Sequence, residues 1–145
     1  MALTAEAEIP VKIHLITKIR LDDEEETYEL VVFGHYFKKN NKVYLTYDEV
    51  QEEGTVRSVV KVDEDEATIL RKGVIDMRLK FCLNEQKSGS HMSEFGSLLL
   101  STNTRGIFFE ESAEKCEGTV KLHYDLFMQG AHAGEYDMEI NYKEE

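Results

Sequence analysis

Apolar and polar residues alternate with a period of two along almost the whole chain. Ile9, Val11, Ile13, Leu15, Ile19 and Leu21 alternate with Lys12, His14, Lys18 and Arg20. After an acidic turn over residues 22–26, Tyr28, Leu30, Val32 and Tyr36 carry a second strand to a turn at 39–41. Val43, Leu45 and Tyr47 predict a third, and Val56, Val60 and Val62, after Gly54, a fourth. A second acidic turn at 63–66 precedes a short strand over 67–71, and Lys72 and Gly73 turn the chain back. Ile75, Met77, Leu79, Phe81 and Leu83 give the cleanest alternation, against Asp76, Arg78 and Lys80. Residues 84–91 are the least patterned and read as a loop. Strands follow over 93–102 and 105–111. Beyond a polar link at 112–117, Val120, Leu122, Tyr124, Leu126 and Met128 form one strand. A turn at 130–134 leads to the last, with Tyr136, Met138, Ile140 and Tyr142.

Strict alternation puts one side of each strand in water and the other in a core. About ten such strands at near-regular spacing predict an all-β sandwich or barrel. Gly34, Gly96 and Gly106 fall inside strand patterns. Internal glycine weakens a strand, so it needs a geometric reason, and the bends of a closing sheet supply one. The expected fold is therefore all-β, an antiparallel closed or nearly closed barrel of about ten strands. Pro10 stands at the first strand's start, where a missing N–H is tolerated. The chain of 145 residues fits a single domain, 1–145. A barrel of this size is either filled by side chains or holds one small ligand.

Composition agrees with a half-wetted sheet: 41% hydrophobic residues, 32% charged, mean hydropathy −0.43. Seventeen basic residues face 29 acidic ones, a formal net charge of −12. Such a surface repels nucleic-acid backbones and anionic lipid. No basic cluster with interleaved aromatics offsets that, so neither nucleic acid nor membrane is an expected partner. No apolar run approaches the ~20 residues of a spanning helix. Cys82 and Cys116 match no metal-ligand spacing, and the first ten residues lack the basic and apolar regions of a leader. Both cysteines are expected as reduced thiols and the protein as cytoplasmic.

Four segments carry a resemblance: NKVYLTYDE (41–49), VVKV (59–62), FGSLLLST (95–102) and EGTVKLHYDL (117–126). In this order and spacing they resemble the YwiB-like proteins, bacterial β-barrels without an assigned function. The resemblance covers nearly the whole chain and rests on strand patterns. It implies a calycin or lipocalin-like fold and, by analogy alone, an internal pocket. It carries over no catalytic residues.

Six of seven tyrosines share the inward parity: Tyr28, Tyr36, Tyr47, Tyr124, Tyr136 and Tyr142, with Tyr44 on the other. Such hydroxyls either orient a ligand inside the barrel or belong to rings buried at barrel ends with wet tips. On the first reading Tyr36, Tyr47, Tyr124 and Tyr136 line a pocket, and Met77, Leu79 and Phe81 supply apolar area. The ligand would be small and apolar or amphipathic, entering past loops 84–91 and 129–134. The alternative is an acidic protein-interaction module with a filled barrel and no ligand.

Nothing points to catalysis or a metal. His14, His35 and His123 take the outward parity, His91 and His132 share no ligand spacing with them, and the acidic runs lack a calcium-loop pattern. No nucleophile elbow or phosphate-cradling loop occurs, so no cofactor is implied and an enzyme is not expected. One feature breaks the alternation. Val31, Phe33 and Phe37 make the second strand apolar on its outer face too, and Phe127 is outward on a late strand. A strand apolar on both faces is covered on both. Either the N-terminal residues or loop 84–91 covers this patch, or a second copy does in a homodimer; coverage within the chain is slightly favoured.

Overall fold

A computed structural model describes residues 8–93, 95–112 and 114–145. Ten antiparallel strands follow one another: β1 (Ile9–Leu21), β2 (Glu24–Lys39), β3 (Lys42–Gln51), β4 (Gly54–Val62), β5 (Glu66–Gly73), β6 (Asp76–Cys82), β7 (Gln86–Ser93), β8 (Gly96–Ser112), β9 (Glu117–Met128) and β10 (Ala131–Glu144). Each pairs with its sequence neighbours, and β1 pairs with β10, which closes the barrel. The N-terminal residues invoked as a cover for the outer patch, 1–7, lie outside the described residues.

The number of strands agrees with the sequence pattern, but two boundaries differ. Residues 84–91 are not a loop, because Gln86–Ser93 form β7, paired along their length with β8. Burial alternates along β7, but its inner positions are Lys87, Gly89 and His91, so no apolar stripe marks it. Conversely, 96–102 and 105–111 belong to one strand, β8, broken only by a register shift between Thr104 and Gly106, while Ser93 ends β7. The acidic residues Glu24, Glu25 and Glu26 begin β2, and the turn itself is Asp22 and Asp23.

The period-two pattern fixes which side chains are inside. Val11, Ile13, Leu45, Val60, Val120, Leu122 and Ile140 are buried within the barrel. Each such side chain taken fully out of water contributes ~1.5–3 kcal/mol. Two ladders are short. β6 meets β7 only from Asp76 opposite Met92 to Arg78 opposite Ser90. Beyond that point β6 leans on β8 instead, where the Thr102 hydroxyl donates to the Lys80 carbonyl at 2.6 Å.

β2 meets β3 only from Gly34 opposite Tyr47 to Lys39 opposite Lys42. Among the described residues, the first ten of β2 (24–33) pair with β1 alone, and the last four of β3 (48–51) pair with β4 alone. Extending the register would set Val32 against Glu49 and Glu29 against Glu52. Like charges opposite each other destabilise a ladder. The sequence thus opens a gap between β2 and β3 at the barrel end that carries the β1–β2 turn.

Candidate functional site

The two halves of the interior differ. In the half near the β2–β3 turn, side chains fill the space. Tyr36 and Tyr142 stack there, with ring centroids 5.3 Å apart. Both hydroxyls donate to Glu111, at 3.0 and 3.3 Å, and the Lys38 ammonium pairs with the same carboxylate at 2.9 Å. Burial and Glu111 push the Tyr142 phenol well above its ordinary range. Tyr36 is therefore part of a plug at the closed end, and it does not line a cavity. Its inward parity was right, but at this end it packs on Tyr142 and Glu111.

The other half holds a cavity of about 410 Å³, lined by side chains of β1, β2, β3, β5, β6, β9 and β10. Tyr28, Glu29 and Leu30 flank it on one side of the β2–β3 gap, and Tyr47 and Glu49 on the other. It thus meets solvent where the ladder is missing. Five of the sequence-derived wall residues come together here: Tyr47, Tyr124, Tyr136, Met77 and Leu79. Phe81 does not. Its ring is fully buried and packs against Tyr124 at 4.6 Å, one layer deeper. Of the two segments expected at the entrance, the 129–130 turn is at the open end. The 84–85 turn is at the closed end, because successive turns of an antiparallel meander alternate ends.

Tyr124 stacks on Tyr136 at 5.1 Å, and only 1% of its surface is exposed. Its hydroxyl has no hydrogen-bond partner among the described residues, and the residue lines the cavity. Burial drives the Tyr124 phenol far above its usual pKa, and burial also raises Tyr47 and Tyr136. All three are neutral hydroxyls at physiological pH, able to donate and accept one hydrogen bond each to a guest.

Three charged residues at this cavity, Glu29, Arg71 and Glu49, escaped the sequence reading, and the last two lie on inward parities. Arg71 follows Ala67 and Ile69 on the inward parity of β5, and Glu49 follows Leu45 and Tyr47 on β3. The Arg71 guanidinium donates to Glu49 at 3.2 Å, while its Nε–H is buried without a partner among the described residues. Parity was the available signal. It was masked because Arg71 stood next to the expected Lys72–Gly73 turn.

The outer face carries a second polar cluster. Arg20 pairs with Asp137, Glu135 with His123 at 2.6 Å, Arg105 with Asp125 at 2.6 Å, and His132 with Asp125 at 3.1 Å. Asp125 is only 7% exposed, which its share of the outward face with His123 did not suggest. These pairs cross β1, β10, β9 and β8 beside the two register shifts, where ladder bonds are interrupted. They tie the sheet together, and among the described residues no group of acids, histidines and cysteines converges as a metal site. Cys82 and Cys116 are both free and buried.

Of the outward apolar residues, Phe37 stacks on Tyr44 at 4.7 Å and Phe127 packs on His132 at 5.2 Å. Val31 and Phe33, on the part of β2 that pairs with β1 alone, remain 51% and 62% exposed.

The barrel matches known proteins along nearly its whole length. A family model described as "Domain of unknown function (DUF1934)" matches residues 13–140. The uncharacterised β-barrel protein YwiB of Bacillus subtilis (strain 168) is 32% identical over 136 residues, covering 94% of each chain. The crystal structure of the ywiB protein from Bacillus subtilis aligns with a TM-score of 0.86 at 31% identity, covering 95% of this chain and 93% of that one.

Proposed function

This chain belongs to the DUF1934 family, and from that premise we propose that it binds a small apolar or amphipathic ligand inside the open half of its barrel. The observation that carries the proposal is the 410 Å³ cavity behind the β2–β3 gap. Its volume lies in the range that small-molecule sites occupy, and its wall is apolar with a few inward polar groups. Met77, Leu79 and Leu126 offer area to an apolar body, while Tyr47, Tyr124 and Arg71 offer hydrogen bonds that fix its orientation. A natively filled interior leaves no such space, since close-packed cores leave few voids larger than a water molecule. That is the argument against a filled barrel acting only as an acidic docking module.

A neutral fluorescent probe, N-phenylnaphthylamine, tests the reading. The protein is expected to enhance and blue-shift its emission at one equivalent. Met77→Trp puts an indole into the cavity and should abolish the effect while leaving the thermal midpoint unchanged or raised. Retained probe binding in a folded Met77→Trp variant would place the site elsewhere and defeat the proposal.

A further inference from the structure

The charge around the cavity selects among amphipathic ligands. Tyr28 and Tyr136 are shared between the lumenal cavity and a smaller one, about 310 Å³, at the same barrel end, whose wall also includes Glu24 and Glu26. The Tyr28 hydroxyl donates to Glu26 at 2.5 Å, which places that carboxylate at the lip. Together the two linings carry four carboxylates, Glu24, Glu26, Glu29 and Glu49, against one guanidinium, Arg71, although the Glu29 carboxylate also pairs with His14 on the outer face. The one positive group is neutralised by Glu49, which accepts from its Nη2 and leaves the Nε–H without a partner among the described residues. An anionic head group would pass the exposed carboxylates of Glu24 and Glu26 at the lip and meet Glu49 beside Arg71, so like-charge repulsion disfavours that route.

A cation meets the opposite conditions. The carboxylates attract it, tyrosine faces stabilise it, and an ammonium supplies three N–H donors. Tyr124, a residue 1% exposed, lines the cavity with a hydroxyl that has no partner among the described residues and can accept from such a donor.

We infer that the lumenal ligand is a cationic amphiphile, with an amine head among the glutamates and tyrosines of the open end and an apolar tail against Met77, Leu79 and Leu126. The inference rests on the lumenal-binding reading and narrows it to one class of ligand.

Calorimetric titration with decylamine, decanol and decanoate keeps the tail constant and changes only the head. At low salt decylamine should bind roughly tenfold tighter than decanoate, with decanol between, and the ratio should shrink in 0.5 M salt as screening shortens to a few ångströms. The double variant Glu26→Gln/Glu29→Gln changes only exposed side chains and should bring the ratio close to one. The control, Glu64→Gln/Asp65→Asn, removes two charges in the β4–β5 turn at the closed end and should leave it intact. Decanoate binding as tightly as decylamine would overturn the charge assignment and leave lumenal binding standing. An equal loss of preference in both double variants would also overturn it, because the attraction would then belong to the whole acidic surface. No binding by any of the three would count against the lumenal reading itself.

Discussion

Tyr124 separates stability from binding at the level of a single atom. Its ring is held by Phe81 and Tyr136, while its hydroxyl gains nothing from the described residues. Tyr124→Phe should therefore leave the urea midpoint unchanged to within about 0.5 kcal/mol, since no protein hydrogen bond is lost. It should weaken binding of a polar-headed ligand severalfold. A stability loss above about 1 kcal/mol would show that the hydroxyl has a structural partner. The inward parity of Tyr47, Tyr124 and Tyr136 was legible in the sequence because side chains alternate strictly along a strand. The division of the tyrosines between cavity and plug was not. It depends on which barrel end is open, and that is decided by strands distant in sequence. Arg71 and Glu49 show the same limit. A charged residue on an inward parity near a strand end reads as solvent-facing until its cross-barrel partner is known.

At the scale of elements, the β2–β3 junction decides the shape of the interior. Pairing begins at Gly34, where a Cβ would sit 2.1 Å from the Thr46 carbonyl oxygen. Gly34→Ala should force the two strands apart and cost about 2–3 kcal/mol, read as a lower urea midpoint. A wild-type midpoint would mean that β3 can withdraw freely and that the ladder is not anchored there. Gly34 was recognisable as a special position, but its reason is close backbone approach and not a bulge. The outer ion pairs act on β10 and its neighbours. A hydrogen bond from His123, then the charges of Arg20, His123 and Arg105, hold the Glu135 carboxyl below its ordinary pKa despite partial desolvation. A lowered folded-state pKa adds stability above the unfolded value, and that stability is lost as pH falls through the folded value. The urea midpoint of the wild type should thus decline more steeply below about pH 4.5 than that of Glu135→Gln. Parallel declines would remove Glu135 from the acid response. β7 marks where pattern reading stopped, since a strand whose inner positions are Lys87, Gly89 and His91 lacks the apolar stripe that identifies strands.

For the whole molecule, closure and opening come from the same alternation. Inward aliphatic residues on every strand but β7 seal the barrel, and one mismatched stretch of register leaves part of it unsealed. The fold class and strand number were readable because the pattern repeats along the entire chain. The half-open interior was not, because it arises where two strands with compatible patterns would set Glu29 against Glu52 if pairing continued. The central claim is that this open half takes up one small molecule. Native mass spectrometry of the purified protein, before and after incubation with decylamine and with a lipid and metabolite extract, tests it most directly. The account predicts a single non-covalent adduct of a few hundred daltons or less per barrel, lost on denaturation and absent from Met77→Trp. A wild-type barrel that keeps its bare mass through both incubations would contradict it.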